Sequence, residues 1–370
     1  MRIITVLNSL GMGGAEKQAL AVAERMMTRG HAVAVLVLRP RVAEEWPSPV
    51  EPVHLGVRRT PVSVLAGLRL AYRFLRDFQP DVVNSHSFHA NMFARLLRLR
   101  MPGLRVISTI HNTYERSWSR MMAYRLTNGL ACRTVAVSKA AGQRFVSLAR
   151  LSERKCIVIP NGFDTVAFVR DPERRVRTRS AMGLSQAAAN RDFIWLAAGR
   201  ITPAKDYPNL LRAFALVHAS QSDSRLWIAG EGKSADLKRL QVLSGQLNLG
   251  NSVRWLGLRR DMPALLDAAD GFVSASAWEG MPLAVGEAMA MEKLVVATDV
   301  GGVRELVGDA GVLVPARDFD ALAKAMLAVM ERSREEREHL ARSARERILR
   351  HFSMDAAADA WEALYRDLLP

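Results

Sequence analysis

Two glutamates, Glu279 and Glu287, stand with seven residues between them in the stretch from Ser276 to Ala290. The apolar run Gly271–Ala275 before them reads as a strand. Pro282 suits the first turn of a helix, where its missing N–H costs nothing and its fixed φ is already helical. Glu279 and Gly280 then lie in a tight loop, Met281, Pro282 and Leu283 sit at the helix start, and Glu287 follows roughly 7–8 Å along the axis. The rest of that helix is apolar, and a carboxylate buried in it must find donors. Backbone N–H groups at a helix start, flanked by two carboxylates, make a pocket for an anion joined to polyols. A nucleotide diphosphate sugar fits, with its hexose at the loop, its phosphates at the amides and its ribose hydroxyls at Glu287.

Other stretches bring the complementary charge. In Gly199-Arg200-Ile201-Thr202-Pro203-Ala204-Lys205-Asp206, directly after a strand-like run, Arg200 and Lys205 can converge on a phosphate pair, one as a planar fork and one as a point charge. The first apolar run ends in Asn8-Ser9-Leu10-Gly11-Met12-Gly13-Gly14-Ala15-Glu16. It fails as a dinucleotide fingerprint, because Glu16 stands where the third glycine belongs. As a glycine turn feeding a helix, it still offers the Gly13 and Gly14 amides to an anion. Gly230, in Ile228–Ser234, mimics a phosphate loop, but Trp227 occupies the position of that motif's first glycine. Asp318-Phe319-Asp320 imitates a metal-binding acid pair, yet it precedes a helical run, and N-capping is the better account. No HExxH and no Cys/His cluster occurs, so no metal is expected. His111 and His86 each stand at the carboxyl end of a strand-like run, and His89 follows close behind.

The elements that must position these residues alternate. Strands are predicted at Ile3–Asn8, Ala32–Leu38, Val82–Ser85, Val106–Ile110, Thr134–Val137 and Cys156–Ile159. A second series follows at Phe193–Ala198, Arg225–Ala229, Ser252–Trp255, Gly271–Ala275, Leu294–Ala297 and Gly311–Val314. Amphipathic helical stretches such as Ala15–Thr28 and Val64–Phe78 lie between them. That alternation predicts an α/β chain of two Rossmann-like, doubly wound parallel-sheet domains facing a central cleft. The expected division is residues 1–167 and 168–353. Arg170–Arg179 is read as an exposed connector.

The chain has 370 residues, more than one core usually supports. No apolar run approaches the roughly 20 residues needed to span a bilayer, and the start is too short for a secretory signal. Cys132 and Cys156 are far apart, which predicts two free thiols in a reducing cytoplasm. The net charge of +15 is concentrated in one half: about +14 falls in residues 1–165. An anionic partner for that half follows. Arg69, Arg73 and Arg76 lie within about 60° of one another on the Val64–Phe78 helix. Leu65, Leu68, Tyr72 and Leu75 fall on adjoining or opposite faces. Arg95 and Arg98 lie among apolar residues, and Arg116 and Arg120 bracket Trp118. These residues predict a peripheral dock on the anionic cytoplasmic leaflet of the inner or plasma membrane, each basic group contributing about 1 kcal/mol.

Taken together, the glycine loop, His111, Pro160-Asn161-Gly162-Phe163-Asp164, Arg200/Lys205 and Glu279/Glu287 resemble the retaining GT-B glycosyltransferases of family four, the group 1 class. The resemblance spans nearly the whole chain. It implies transfer of a sugar from a nucleotide diphosphate sugar, UDP preferred over GDP, to an acceptor hydroxyl with retention and without a metal. It implies that Gly13, Gly14 and the Arg200/Lys205 clamp meet the diphosphate, and that Gly230 lies near the nucleoside. Glu279 would orient the sugar and Glu287 hold the ribose. His111 would contact the sugar from the opposite domain, with His86 and His89 on the acceptor side. It further implies a lipid-linked glycan acceptor and a C-terminal helix, 354–370, packing back on the first domain. Met281-Pro282 departs from the Phe-Gly that many relatives carry. Two other classes compete: a non-catalytic basic protein binding membrane or nucleic acid, and an NADP-dependent oxidoreductase using Arg39. The first leaves the charged constellation idle, and the second lacks its third glycine.

Overall fold

The computed structural model describes residues 1–43, 45–113, 117–184 and 191–369. They divide into two units: Met1–Gly162 with Met354–Pro370, and Phe163–Ser353. The boundary falls at 162/163, five residues before the expected one, because Phe163 already pairs with Ser353 and donates its backbone N–H to the Phe352 carbonyl.

The first unit holds strands β1 (Arg2–Leu7), β2 (Ala32–Val37), β3 (Val53–His54), β4 (Val82–His86), β5 (Val106–Ile110), β6 (Arg133–Ala136) and β7 (Cys156–Val158). They form one sheet in the order β3-β2-β1-β4-β5-β6-β7. The second holds β8 (Phe193–Ala198), β9 (Ser224–Ala229), β10 (Val253–Gly257), β11 (Gly271–Ser274), β12 (Leu294–Thr298) and β13 (Val312–Val314), ordered β10-β9-β8-β11-β12-β13. All pairings are parallel. Helices cover both faces of such sheets, which is why β4, β5 and β12 are buried at every residue. The short edge strand β3 lay below what the apolar pattern resolves.

Each strand order reverses direction once, between β1 and β4 and between β8 and β11. At such a switch point the flanking loops part and leave a crevice above the carboxyl ends of the strands. The glycine turn after β1 and His86 at the end of β4 meet at the first switch point. Lys205 after β8 and Glu279 after β11 meet at the second, and Arg200 lies on the same loop as Lys205.

Residues 172–181 form a helix, Pro172–Ala181, and not an exposed connector. Asp171 caps it through the amides of Glu173 and Arg174, and Pro172 opens the first turn. Arg175 and Arg179 lie one helical turn apart and grip both carboxylate oxygens of Asp270, at 2.6 and 2.7 Å, while Arg174 pairs with Asp267. Their partners lie about ninety residues away in sequence, so charge density alone read as solvation.

The helix Leu283–Ala290 carries Glu287 and is seated by Phe163, whose ring lies where a Cβ on Gly286 would fall, 2.1 Å from the nearest atom. Gly286→Ala is therefore expected to overpack the joint by about 1–3 kcal/mol. Chemical denaturation should show that loss, and Phe163→Leu should recover part of it in the double variant. Unchanged stability in Gly286→Ala would mean that Phe163 does not seat this helix.

Candidate functional site

Lys205 and Glu279 come together in the second unit. Lys205 Nζ donates to Glu279 Oε1 at 2.6 Å, and Ser276 Oγ donates to the same oxygen at 2.8 Å. Both contacts use Oε1, and Oε2 has no partner among the described residues. Pairing is favourable because both groups are largely withdrawn from water, where Coulomb attraction is screened less. The two loops are also stitched by their backbones: Ala277 N–H donates to the Ala204 carbonyl at 2.8 Å. Thr298 Oγ1 donates to the Ser276 carbonyl at 2.6 Å, and Gly302 N–H to the Gly280 carbonyl at 2.8 Å.

Arg200 follows β8, is exposed and makes no ion pair or hydrogen bond among the described residues. Gly230 is glycine for a packing reason: a Cβ there would lie 2.0 Å from the Gly199 carbonyl oxygen. Its φ of +153° also falls in a region other residues avoid. The loops after β8 and β9 thus cross at backbone contact and fix where Arg200 and Lys205 emerge. Tyr207, buried beneath them, donates to the Gly199 carbonyl at 2.7 Å. Burial, and secondarily the Glu279 charge, pushes its phenol well above the ordinary range.

Pro282 is the residue just before the helix Leu283–Ala290, with extended backbone. Met281 and Pro282 are buried, Leu283 is partly exposed, and Glu287 is 6% exposed in the otherwise apolar helix. Asp318 Oδ1 accepts from Ala321 N–H at 2.8 Å, capping the helix Phe319–Glu331.

In the first unit the turn after β1 feeds the helix Gly14–Thr28. Gly13 is extended there, so the side chain it lacks matters for space: a Cβ would lie 2.1 Å from a Glu16 carboxylate oxygen. Glu16 thus folds back over the start of the helix. Trp46, absent from the sequence reading, holds this turn by donating from its indole N–H to the Gly13 carbonyl at 3.1 Å. Lys17 Nζ lies 5.5 Å from its ring centroid. A lone tryptophan in a proline-rich loop carries no pattern that would have pointed to it.

His86 and His111, assigned separate tasks by sequence, form a pair. His86 Nδ1 lies 3.0 Å from His111 Nε2, and the rings stack at 5.3 Å. Trp361, from the helix Met354–Asp367, backs His86 at 6.3 Å. The same helix sends Tyr365 to Asn84, which accepts from Thr109. The carboxyl ends of β4 and β5 are thereby held from behind. His89 stands apart from the pair, exposed on the helix Ser87–Arg100. Partial burial and then Arg120, Arg39 and Arg59 lower its pKa.

Among the expected docking residues, Arg95 is corrected. It is fully buried, donates to Ser108 Oγ, the Tyr124 carbonyl and Thr127 Oγ1, and lies over the Tyr124 ring. Burial pushes its pKa down to about 10. Phe93, Ala94 and Leu97 beside it in sequence are buried with it, while Leu96 is exposed. Arg69, Arg73 and Arg76 are exposed on the helix Pro61–Phe78, and Leu65 and Tyr72 share their face while Leu75 is buried. Arg98 is half-buried, Trp118 is 71% exposed, and Arg120 lies 4.8 Å over the Phe88 ring. Arg116 lies outside the described residues.

The histidine pair has a consequence for acid stability. Burial lowers His111 from 6.5 to about 4, and burial with the neighbouring ring lowers His86 as well. Both rings stay neutral in the fold while the unfolded chain takes up protons below 6.5. Their contribution is therefore complete above that pH and is lost as pH falls toward 4. For His111, whose edge is partly exposed, the loss is at most about 3 kcal/mol. Urea unfolding at pH 7 and pH 4.5 should show a smaller acid loss in His111→Asn than in the wild type. Equal losses would contradict the buried neutral pair.

Two family profiles match the chain: "Glycosyltransferase Family 4" over residues 12–167 and "Glycosyl transferases group 1" over residues 192–332. A similar curated protein is the UDP-Gal:alpha-D-GlcNAc-diphosphoundecaprenol alpha-1,3-galactosyltransferase of Escherichia coli. It is 26% identical over 315 residues, covering 80% of this chain and 78% of that one. The lipopolysaccharide core biosynthesis mannosyltransferase LpsB of Rhizobium meliloti is 28% identical over 222 residues, 57% and 61% of the two chains. Among solved structures, Anabaena HepE in complex with UDP and glucose superposes with a TM-score of 0.86 at 22% identity, covering 98% of this chain and 99% of that one. Sucrose-phosphate synthase from Thermosynechococcus elongatus gives 0.86 at 19% identity, covering 100% and 99%. With two parallel-sheet units that share this architecture and with both profiles in order along it, the chain belongs to the family-four, group 1 glycosyltransferases of GT-B fold.

Proposed function

We propose that this glycosyltransferase moves a hexose, with retention, from a nucleotide diphosphate sugar to a hydroxyl of a lipid-diphosphate-linked glycan. UDP is the preferred nucleotide. The observation that carries the reading is the pairing of Lys205 with Glu279 at the switch point of the second unit, on the loop from which Arg200 also emerges and beside the start of the helix that holds Glu287. Two cations match the two charges of a diphosphate, and the open Oε2 of Glu279 is free to accept from a sugar hydroxyl. Glu287 accepts from the ribose, and the Gly13 and Gly14 amides add donors at the distal phosphate.

Retention follows if the acceptor hydroxyl attacks from the face that the diphosphate leaves. The bond from the anomeric carbon to phosphate oxygen breaks, the new glycosidic bond forms, and the departing phosphate oxygen takes the hydroxyl proton. Arg200 and Lys205 then stabilise the charge growing on the leaving group. His111 meets the sugar through Nδ1, since Nε2 faces His86. His86 acts as a positioning residue that fixes which His111 nitrogen carries the proton. The galactosyltransferase relative named for a diphosphoundecaprenol substrate supports the acceptor class.

In Lys205→Ala, turnover should fall by about 10²-fold or more, roughly 2.7 kcal/mol of transition-state stabilisation, with the chain still folded. Nucleotide-sugar hydrolysis and transfer over UDP-, GDP- and ADP-sugars measure this. Normal transfer by the folded variant would remove the clamp from the site. Because Arg200 and Lys205 supply the positive charge, transfer should persist in excess EDTA. Loss restored only by Mn²⁺ or Mg²⁺ would reverse that part of the reading.

A lipid-linked acceptor brings the enzyme to a bilayer surface. Among the described residues, no helix is long and apolar enough to cross a membrane. One face of the helix Pro61–Phe78 instead combines exposed Val62, Leu65 and Tyr72 with Arg69, Arg73 and Arg76. Apolar anchors beside cations suit an anionic headgroup layer. Wild type should co-sediment with anionic vesicles at low salt, and the Arg69/Arg73/Arg76→Glu variant should not. Equal binding by both would refute the dock.

A further inference from the structure

We propose that a cavity in the second unit, separate from the Lys205–Glu279 pair, is a carbohydrate-binding subsite. The cavity has a volume of about 410 Å³ and lies beside the Pro203–Lys205 turn. Its lining takes in Ile201, Tyr207, Leu240 and Trp278, but neither Lys205 nor Glu279. That volume gives room for about two pyranose rings, within the usual range of small-molecule sites.

The polar groups around the apolar wall identify the ligand. Thr202, Asp206, Asp236, Arg239 and Arg317 all line the cavity. The Trp278 indole N–H, the Thr202 hydroxyl, the Asp206 carboxylate and the Arg317 guanidinium have no partner among the described residues. Asp236 and Arg239 face each other at 3.8 Å. Asp206 and Arg317 also hold left-handed backbone, with φ of +43° and +62°, a strain that tends to collect where a site needs a fixed geometry.

Two carboxylates and two guanidiniums share one rim. An anion entering would meet Asp206 and Asp236, and a cation would meet Arg239 and Arg317. A neutral ligand that carries both donors and acceptors satisfies all four. It must also have an apolar face to cover the Trp278 ring, which lines the cavity with aliphatic and proline side chains. A pyranose has that combination: hydroxyls around its edge and C–H bonds on its faces. Trp278 is bonded to Glu279, so a sugar held there sits one residue from the donor loop. The subsite would hold glycan units outside the reacting position. The choice of carbohydrate rests on the transferase reading above.

Saturation-transfer NMR on the whole chain, with maltotriose, N,N′-diacetylchitobiose and α-1,6-mannobiose as probes and UDP in excess, tests this. At least one probe should bind in the presence of UDP. Trp278→Ala should abolish that binding, and Arg317→Asn, which keeps a residue tolerant of left-handed backbone, should weaken it about tenfold at unchanged melting temperature. Absence of signal for all three probes, loss of binding on adding UDP, or full binding by a folded Arg317→Asn would overturn the subsite. The binding arm contains no sugar donor, so a wild type that binds glycan yet hydrolyses no nucleotide sugar would count against the transferase reading and not against the cavity.

Discussion

The ion pair between Lys205 and Glu279 joins the loops that leave β8 and β11, the two strands between which the second sheet reverses its order. A parallel sheet opens a crevice at that point and supplies nothing to close it. Here the closure is electrostatic and backbone-mediated: Lys205 and Ser276 converge on one glutamate oxygen, and Ala277 hydrogen-bonds across to Ala204. The crossing of Gly199 and Gly230 sets the height at which the loops emerge. The cation is partly desolvated and paired before any ligand arrives. An anion arriving there would therefore meet a field that is already organised, which limits the cost of reorganisation.

The first unit solves the same problem differently. Its switch point presents a histidine pair instead of an ion pair, and burial keeps both rings neutral. The support comes from the last helix of the chain, through Trp361 behind His86 and Tyr365 on Asn84. That helix is also tied electrostatically: Glu362 pairs with Arg29 and Arg366 and accepts from His31. Those partners, Arg366 first, hold its carboxyl down at about 2. Residues more than three hundred positions apart thus tie down the helix that backs the histidine pair.

Arginine does two unlike jobs in this protein. On the helix Pro61–Phe78, Arg69, Arg73 and Arg76 project into solvent beside exposed apolar side chains. Arg95, Arg179 and Arg345 are structural, donating to carbonyls, hydroxyls and the half-buried Asp270 carboxylate through several N–H groups at once. Five donors in a fixed fork make that possible. A count of positive charge does not distinguish the two uses.

Strand periodicity, turn glycines and the order of motifs belong to neighbours along the chain, and the sequence by itself determined them. The parallel α/β units, the helix that follows Pro282 and carries Glu287, the capping role of Asp318 and the family were all legible there. Local sterics and apolar burial fix each of these within a dozen residues or so. Only the tertiary structure paired Lys205 with Glu279 and His86 with His111, buried Arg95, turned residues 172–181 into a buttressed helix and made Trp46 the clamp of the glycine turn. Each depends on partners brought together by chain crossovers, and the same side chain is solvated or buried according to what arrives opposite it. Sequence spacing carries no record of that arrival.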